Sequence, residues 1–185
     1  MEMIYSIDLA ILHWVQDVMH NGFLDAVMAA LSFIGNHGLI WIAIGVVLVI
    51  VKKTRYAGIV MLSALAFGFL MGEGILKHLI NRPRPFVDYP EFVPGISLPS
   101  GSSFPSGHSC AGFACSTVMM VKNRKIGIPM LVLAVLIAFS RIYNFVHFPS
   151  DVLCGMLLGV LSAVLILFIY SRTKLEAKLS GASKQ

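Results

Sequence analysis

Charge is scarce in this chain. Only 12% of its 185 residues are Asp, Glu, Lys or Arg, whereas 57% are hydrophobic and the mean hydropathy is +0.84. Soluble domains carry roughly 25% charged residues, so this composition excludes a soluble globule. Cysteine is rare as well. Cys110, Cys115 and Cys154 lie in apolar stretches without metal-ligand spacing, and an odd count of 3 argues against a disulfide framework. They are expected to be small packing residues. Solenoid repeats, low-complexity segments and collagen or coiled-coil periodicity are also missing, which removes those fold classes. The first 51 residues contain no Lys or Arg, so no cleavable signal with a basic n-region is expected.

What the chain does have is long apolar runs. Five candidate spans, near 37–51, 57–80, 106–121, 126–144 and 150–171, are bounded by polar clusters. They predict an all-α integral membrane protein, a bundle of five transmembrane helices, or six if residues 22–35 also cross. Residues 1–36 read as amphipathic interfacial helices divided at Asn21-Gly22, with Trp14 as an anchor, and their polar side chains need only packing roles. Residues 37–172 form the membrane core, and 173–185 a tail.

The cations have a pattern. Lys52, Lys53 and Arg55, then Lys122, Arg124 and Lys125, then Arg172, Lys174, Lys178 and Lys184 account for ten of the 14 Lys and Arg. With alternating spans all three clusters fall on one side, which the positive-inside rule makes cytoplasmic. The net charge of +5 is thereby a signal of orientation, and no nucleic-acid partner is expected. The first 36 residues, the loop at 81–105 and the turn at 145–149 fall on the other, extracytoplasmic side. Within that loop the stretch 86–104 carries Pro90, Pro94 and Pro99 with Gly95 and Gly101, so it is expected to be irregular and to act as a lid or entrance. Gly68/Gly72 and Gly155/Gly159 have the spacing that lets helices approach closely.

Set apart from the clusters are Lys77, Arg82, Arg84 and Arg141, together with His108, His147 and Asp151, all near the outer ends of spans. Ionisable groups at such depth are costly unless paired or functional. Three cations converging on one face suggest an anion site. Ser106-Gly107-His108 opens the third span, so helix N-terminal amides face the same place, and this arrangement suits phosphate. Ser106 is also a natural N-cap. His147 precedes Asp151 by four residues, and a carboxylate in reach of an imidazole fixes its tautomer and stabilises its cation. Such a histidine is a competent nucleophile toward phosphorus, with His108 placed to protonate a leaving oxygen. Glu73 stands four residues before Lys77, the spacing of a helical ion pair. Neither His78 nor Arg82 receives a role from spacing, and both are left as candidate headgroup or loop contacts.

Lys77 with Arg84-Pro85 after six intervening residues, Pro105-Ser106-Gly107-His108, and Ser140-Arg141 with His147 and Asp151 form a three-part pattern. It resembles the signature of the type 2 phosphatidic acid phosphatase (PAP2) superfamily, with every signature position filled and every internal spacing matched. The resemblance implies the helical core that this family shares with haloperoxidases, and hydrolysis of a phosphoester or pyrophosphate without metal or other cofactor. His147 would form a phosphohistidine, Asp151 would orient it and His108 would serve as general acid. Lys77, Arg84 and Arg141 would bind the phosphoryl oxygens, with Ser106 and the Gly107 amide completing the cradle. Because the spans surround the site, the substrate is expected to be a lipid phosphate held in the bilayer. A polyprenyl pyrophosphate such as undecaprenyl pyrophosphate, or phosphatidylglycerol phosphate, leads, with phosphatidic acid as a further candidate. The rival readings are a lipid flippase or phosphate transporter using the same basic site, and a vanadium haloperoxidase-like oxidation. Oligomeric state is left open.

Overall fold

A computed structural model describes residues 2–92 and 94–173 of the chain, and its described residues are helical throughout, without strands. Lys174, Lys178 and Lys184 of the third cation cluster, and most of the 173–185 tail, lie outside the described residues.

The N-terminal stretch forms α1 (Glu2–Met19) and α2 (Gly22–Ile34). Asn21 divides them as expected: its side chain caps α2 by accepting from the Leu24 amide at 3.0 Å. A 3-10 turn, Asn36–Gly38, leads into α3 (Leu39–Ile50). The next long helix is α4 (Arg55–Phe69), which continues through a π-helical stretch, Leu70–Leu76, into the short α5 (Lys77–Ile80). Asn81, in the left-handed region at φ 43°, ends it ahead of Pro83 and Pro85. The loop that follows is irregular except for one turn, α6 (Pro85–Asp88), where proline sits in the first helical turn. Then come α7 (Gly107–Lys122), α8 (Arg124–Tyr143) and α9 (Pro149–Ser171).

The helix count is lower than the apolar runs suggested. Among the described residues three helices are long and apolar enough to cross a membrane, Arg55–Asp88, Arg124–Tyr143 and Pro149–Ser171. Gly22–Ile34 and Asn36–Ile50 make a fourth crossing only as a pair bent by 45°. The reason is length: α3 has 12 residues, about 18 Å at helical rise, against a hydrocarbon core of about 30 Å. Likewise α7, with 16 residues, is shorter than a single crossing. It is the central helix, packed on α4, α8 and α9.

Packing follows a membrane logic of small residues inside and large ones outside. Along α9, Gly155, Gly159, Ser162 and Ala163 face the bundle, while Leu153, Leu157, Leu161, Val164 and Phe168 face outward. A Cβ at Gly155 would collide with the Ser106 carbonyl oxygen, and one at Gly159 with that of Cys110. These two glycines let α9 lie against the start of α7, where a backbone hydrogen bond from Ser106 to the Asp151 carbonyl at 3.0 Å ties the helix ends together. The main core gathers Trp41, Val60, Met61, Val118, Met119 and Ile137.

The two ends of the bundle differ in character. At one end the Lys122 ammonium sits 4.4 Å from the Tyr56 ring centroid, and Tyr56 meets Tyr170 at 6.2 Å. The starts of α4 and α8 and the ends of α7 and α9 therefore share one end, so the first two cation clusters and Arg172 of the third lie together. The opposite end holds α1, the 86–104 loop and the turn before α9. There Leu12, Phe145 and Phe148 form a second core, over which Phe86, Tyr89 and Phe92 of the loop pack.

Candidate active site

His147 stands in the tight turn between α8 and α9. The Val146 and His147 amides both donate to the Arg141 carbonyl, at 3.2 and 3.3 Å, and Phe145 adopts φ 56°. An aromatic residue in the left-handed region costs about 1–2 kcal/mol, which the buried Phe145 side chain offsets by packing. Pro149 then starts α9 and places Asp151 in its first turn, where Asp151 Oδ2 accepts from the Phe148 amide at 2.9 Å. The carboxylate is thereby fixed 3.7 Å from His147 Nδ1. Both side chains are buried.

Arg84 reaches the same point from the loop after α5. Its Nε donates to the Gly101 carbonyl at 3.0 Å and its Nη2 to those of Ser100 and Ser102 at 3.2 and 3.3 Å. Its Nη1 donates to the Val146 carbonyl at 2.9 Å and lies 3.2 Å from His147 Nε2. All five guanidinium protons are engaged. Since arginine only donates, Nε2 is the acceptor and the imidazole proton resides on Nδ1, which faces Asp151 at 3.7 Å, beyond hydrogen-bonding distance, and has no other partner among the described residues. Burial, chiefly, and then the cations of Arg141, Arg84 and Lys77 hold the His147 pKa well below its ordinary value.

The remaining expected residues are grouped around this pair. Arg141, in the last turn of α8, is 2% exposed; its Nη1 donates to Ser32 Oγ on α2, and its Nε is buried without a hydrogen-bond partner. Ser106 is the N-cap of α7, its Oγ accepting from the Ser109 amide at 3.4 Å and the Ser109 hydroxyl at 2.9 Å. The first-turn amides that follow, Gly107 among them, have no intrahelical acceptor by the geometry of a helix start. Lys77 pairs with Glu73 at 2.7 Å, the i,i+4 contact that their spacing indicated. A Cβ on Gly107 would stand 2.5 Å from Glu73 Oε1, so the pair sits directly over the α7 N-terminus. His108, one residue on, has its Nε2 within 3.1 Å of Asn36 Oδ1 and 3.3 Å of the Ser32 carbonyl. Outside Arg84 lies a cleft of about 400 Å³, lined by Asn81, Arg82, Phe86, Val87, Ser100 and Ser102 among others.

Four residues here were not selected from sequence. Ser32 and Asn36 hold Arg141 and His108, and no spacing signal marks them. Asp8 and Arg82 form a further buried network beside Asp151, with Arg82 Nη1 2.7 Å from Asp151 Oδ1 and Nη2 2.9 Å from Asp8 Oδ2. A packing role alone was expected for Asp8, and Arg82 was left as a headgroup or loop contact; the structure joins them in an ion pair. Asp8 was detectable in principle, because it shares the helical face of Leu12 and Val15, the buried side of α1.

The geometry has counterparts. A family model described as the PAP2 superfamily matches residues 53–174. An undecaprenyl-diphosphatase of Sulfolobus acidocaldarius is 33% identical over 141 residues, covering 74% of this chain and 66% of that protein. An undecaprenyl-diphosphatase of Bacillus subtilis is 31% identical over 160 residues, covering 83% of this chain and 76% of that protein. The crystal structure of a transmembrane PAP2-type phosphatidylglycerolphosphate phosphatase from Bacillus subtilis superposes with a TM-score of 0.76 at 30% identity, covering 94% of this chain and 89% of that one.

Proposed function

The chain belongs to the PAP2 superfamily and is a multi-pass membrane lipid phosphatase, and from that premise we propose that it cleaves lipid phosphates through a phosphohistidine on His147. The observation that carries this reading is the orientation of His147. Arg84 Nη1 meets Nε2 at 3.2 Å and Asp151 faces Nδ1 at 3.7 Å, so the ring presents its unprotonated nitrogen to the cationic side of the site.

The steps follow from the residues. A phosphoryl group entering beside Nε2 takes over the Arg84 Nη1 donor and meets the unpartnered Nε of Arg141. Lys77, the Ser106 hydroxyl and the Gly107 amide complete its surroundings. Fixed cations neutralise the equatorial oxygens, which is the main requirement of phosphoryl transfer. As Nε2 bonds to phosphorus, the bond from phosphorus to the lipid-side oxygen breaks, and the ring becomes cationic. Asp151 stabilises that charge through Nδ1–H, the 3.7 Å separation tightening in the complex as resting catalytic contacts commonly do. Both acceptors on His108 Nε2 are oxygens, so that nitrogen keeps a proton; in the doubly protonated ring the Nδ1–H passes its proton to the leaving oxygen, which leaves His108 neutral. Water, activated by the same His108, then attacks the phosphohistidine, releases phosphate and restores His147.

The substrate is a lipid phosphate or pyrophosphate, with undecaprenyl pyrophosphate and phosphatidylglycerol phosphate leading, because relatives with these named activities match most of the chain. The site is assigned to the extracytoplasmic face and the C-terminus to the cytoplasm. Support comes from the first two cation clusters and Arg172, gathered at the opposite end of the bundle. The deciding experiment is phosphate release by the purified protein from a panel of lipid monophosphates and pyrophosphates. Release that vanishes in His147→Ala supports the reading. A parent protein inert toward every lipid phosphate tested, or a His147→Ala variant as active as the parent, would overturn it.

A further inference from the structure

Building on the phosphatase reading, we propose that Asp8 of α1 and Arg82 are positioning residues for the catalytic carboxylate, which makes the N-terminal helix a working part of the active site. The matched family region starts at residue 53, so Asp8 lies outside it.

The contacts form a closed set. Asp8 is 2% exposed on the inner face of α1, an environment in which an ionised carboxylate persists only if well paired. It accepts from the Ser150 amide at 2.8 Å and from the Ser150 hydroxyl at 2.5 Å, both at the start of α9. Arg82 spans the two carboxylates: Nη2 reaches Asp8 Oδ2 at 2.9 Å, while Nη1 reaches Asp151 Oδ1 at 2.7 Å and the Ser150 hydroxyl at 2.8 Å. The guanidinium carbon lies 3.9 Å from the Phe148 ring centroid, which holds its plane. Asp151 thus has one oxygen fixed by Arg82 and the other directed to the Phe148 amide and His147.

Charge explains the presence of Asp8. Arg82 alone would neutralise Asp151 and weaken its stabilisation of the imidazolium. With Asp8 sharing the guanidinium, the three groups sum to one negative charge beside His147. The other charged or titratable groups facing His147 are Arg84, Arg141, Lys77 and His108, and Cys154 stands by Asp151. None of these changes in the variants below.

The test is steady-state hydrolysis of one lipid phosphate in detergent, with kcat/KM followed against pH. Asp8→Asn is expected to lower kcat about tenfold, the loss of a charge-assisted contact, with KM unchanged. Its acid limb moves to lower pH, because a less negative surrounding lowers the His147 pKa. Arg82→Gln moves that limb to higher pH, and Arg82→Lys, which keeps the charge, lowers kcat without moving it. Asp17→Asn, on the exposed face of α1, behaves as the parent. A purely structural tie would lower thermal stability but would not shift the limb in opposite directions. Parent-like kcat in Asp8→Asn, or a reduced kcat with both limbs unmoved, overturns the proposal. Should Asp8→Asn fail to fold, the contrast between Arg82→Gln and Arg82→Lys decides it by the same criterion. An active parent silenced by His147→Ala but indifferent to Asp8→Asn refutes this proposal alone; an inert parent refutes the phosphatase reading.

Discussion

The nucleophile proposed for this site is made by its neighbours. An isolated imidazole shares its proton between two nitrogens, but at His147 an arginine that only donates takes Nε2, and a carboxylate faces Nδ1. Replacing Asp151 by Asn removes the charge that stabilises the phosphohistidine cation, and kcat should fall by about 10³- to 10⁴-fold in phosphate-release assays while the protein stays folded. The lowered His147 pKa has a definite sign for activity. A pKa below the ordinary 6.5 keeps the ring unprotonated, so the acid limb of kcat/KM is expected below pH 6.5. A limb at or above 6.5 in a pH series contradicts this. Because Arg84, Arg141 and Lys77 supply the charge that a metal supplies elsewhere, EDTA should leave turnover intact, whereas loss in EDTA reversed by added metal would refute the assignment.

At the scale of elements, the site depends on how closely two helix starts approach. The Ser106 end of α7 meets α9 at Gly155 and Gly159, where any side chain would strike a backbone carbonyl. Gly155→Val is therefore expected to push apart Ser106 and Asp151. It should cost about 1–3 kcal/mol of stability from overpacking, read as a lower Tm, together with a fall in kcat. The same substitution at Gly22, where a Cβ meets nothing within 4 Å, should change neither. The 86–104 loop belongs to this scale as well: Tyr89 and Phe92 pack on His13 at 5.4 and 5.3 Å, so α1 supports both the loop and, through Asp8, the catalytic end of α9.

Across the whole molecule the cations of the described residues divide into two populations at opposite ends. This gives a test of orientation with a membrane-impermeant thiol reagent on intact cells. A cysteine at Glu91, exposed in the outer loop, should label rapidly, and one at Lys52, exposed at the cluster end, only after lysis. The reverse order would invert the topology.

Much of this was open to sequence reasoning because the chemistry is strongly local. Composition placed the chain in a bilayer, and Lys77, Arg84, Ser106, His108, Arg141, His147 and Asp151 stand in motifs whose spacing is itself the signal. The pairing of Glu73 with Lys77 is a matter of helical period alone. Spatial neighbours far apart along the chain are a different matter. Residues 8, 82 and 151 carry no mutual spacing, and only the docking of α1 across the start of α9 brings their charges to within hydrogen-bonding distance. Helix count was likewise beyond a hydropathy reading, since the bend between α2 and α3 and the shortness of α7 depend on what packs around them. The sequence by itself determined the membrane environment and which groups stand in the motifs proposed for phosphate chemistry, because periodicity and motif spacing are properties of the chain. Tertiary structure alone decided which nitrogen of His147 is left to attack and which distant charges hold its partner, because a proton's position depends on the donors and acceptors that folding brings within reach.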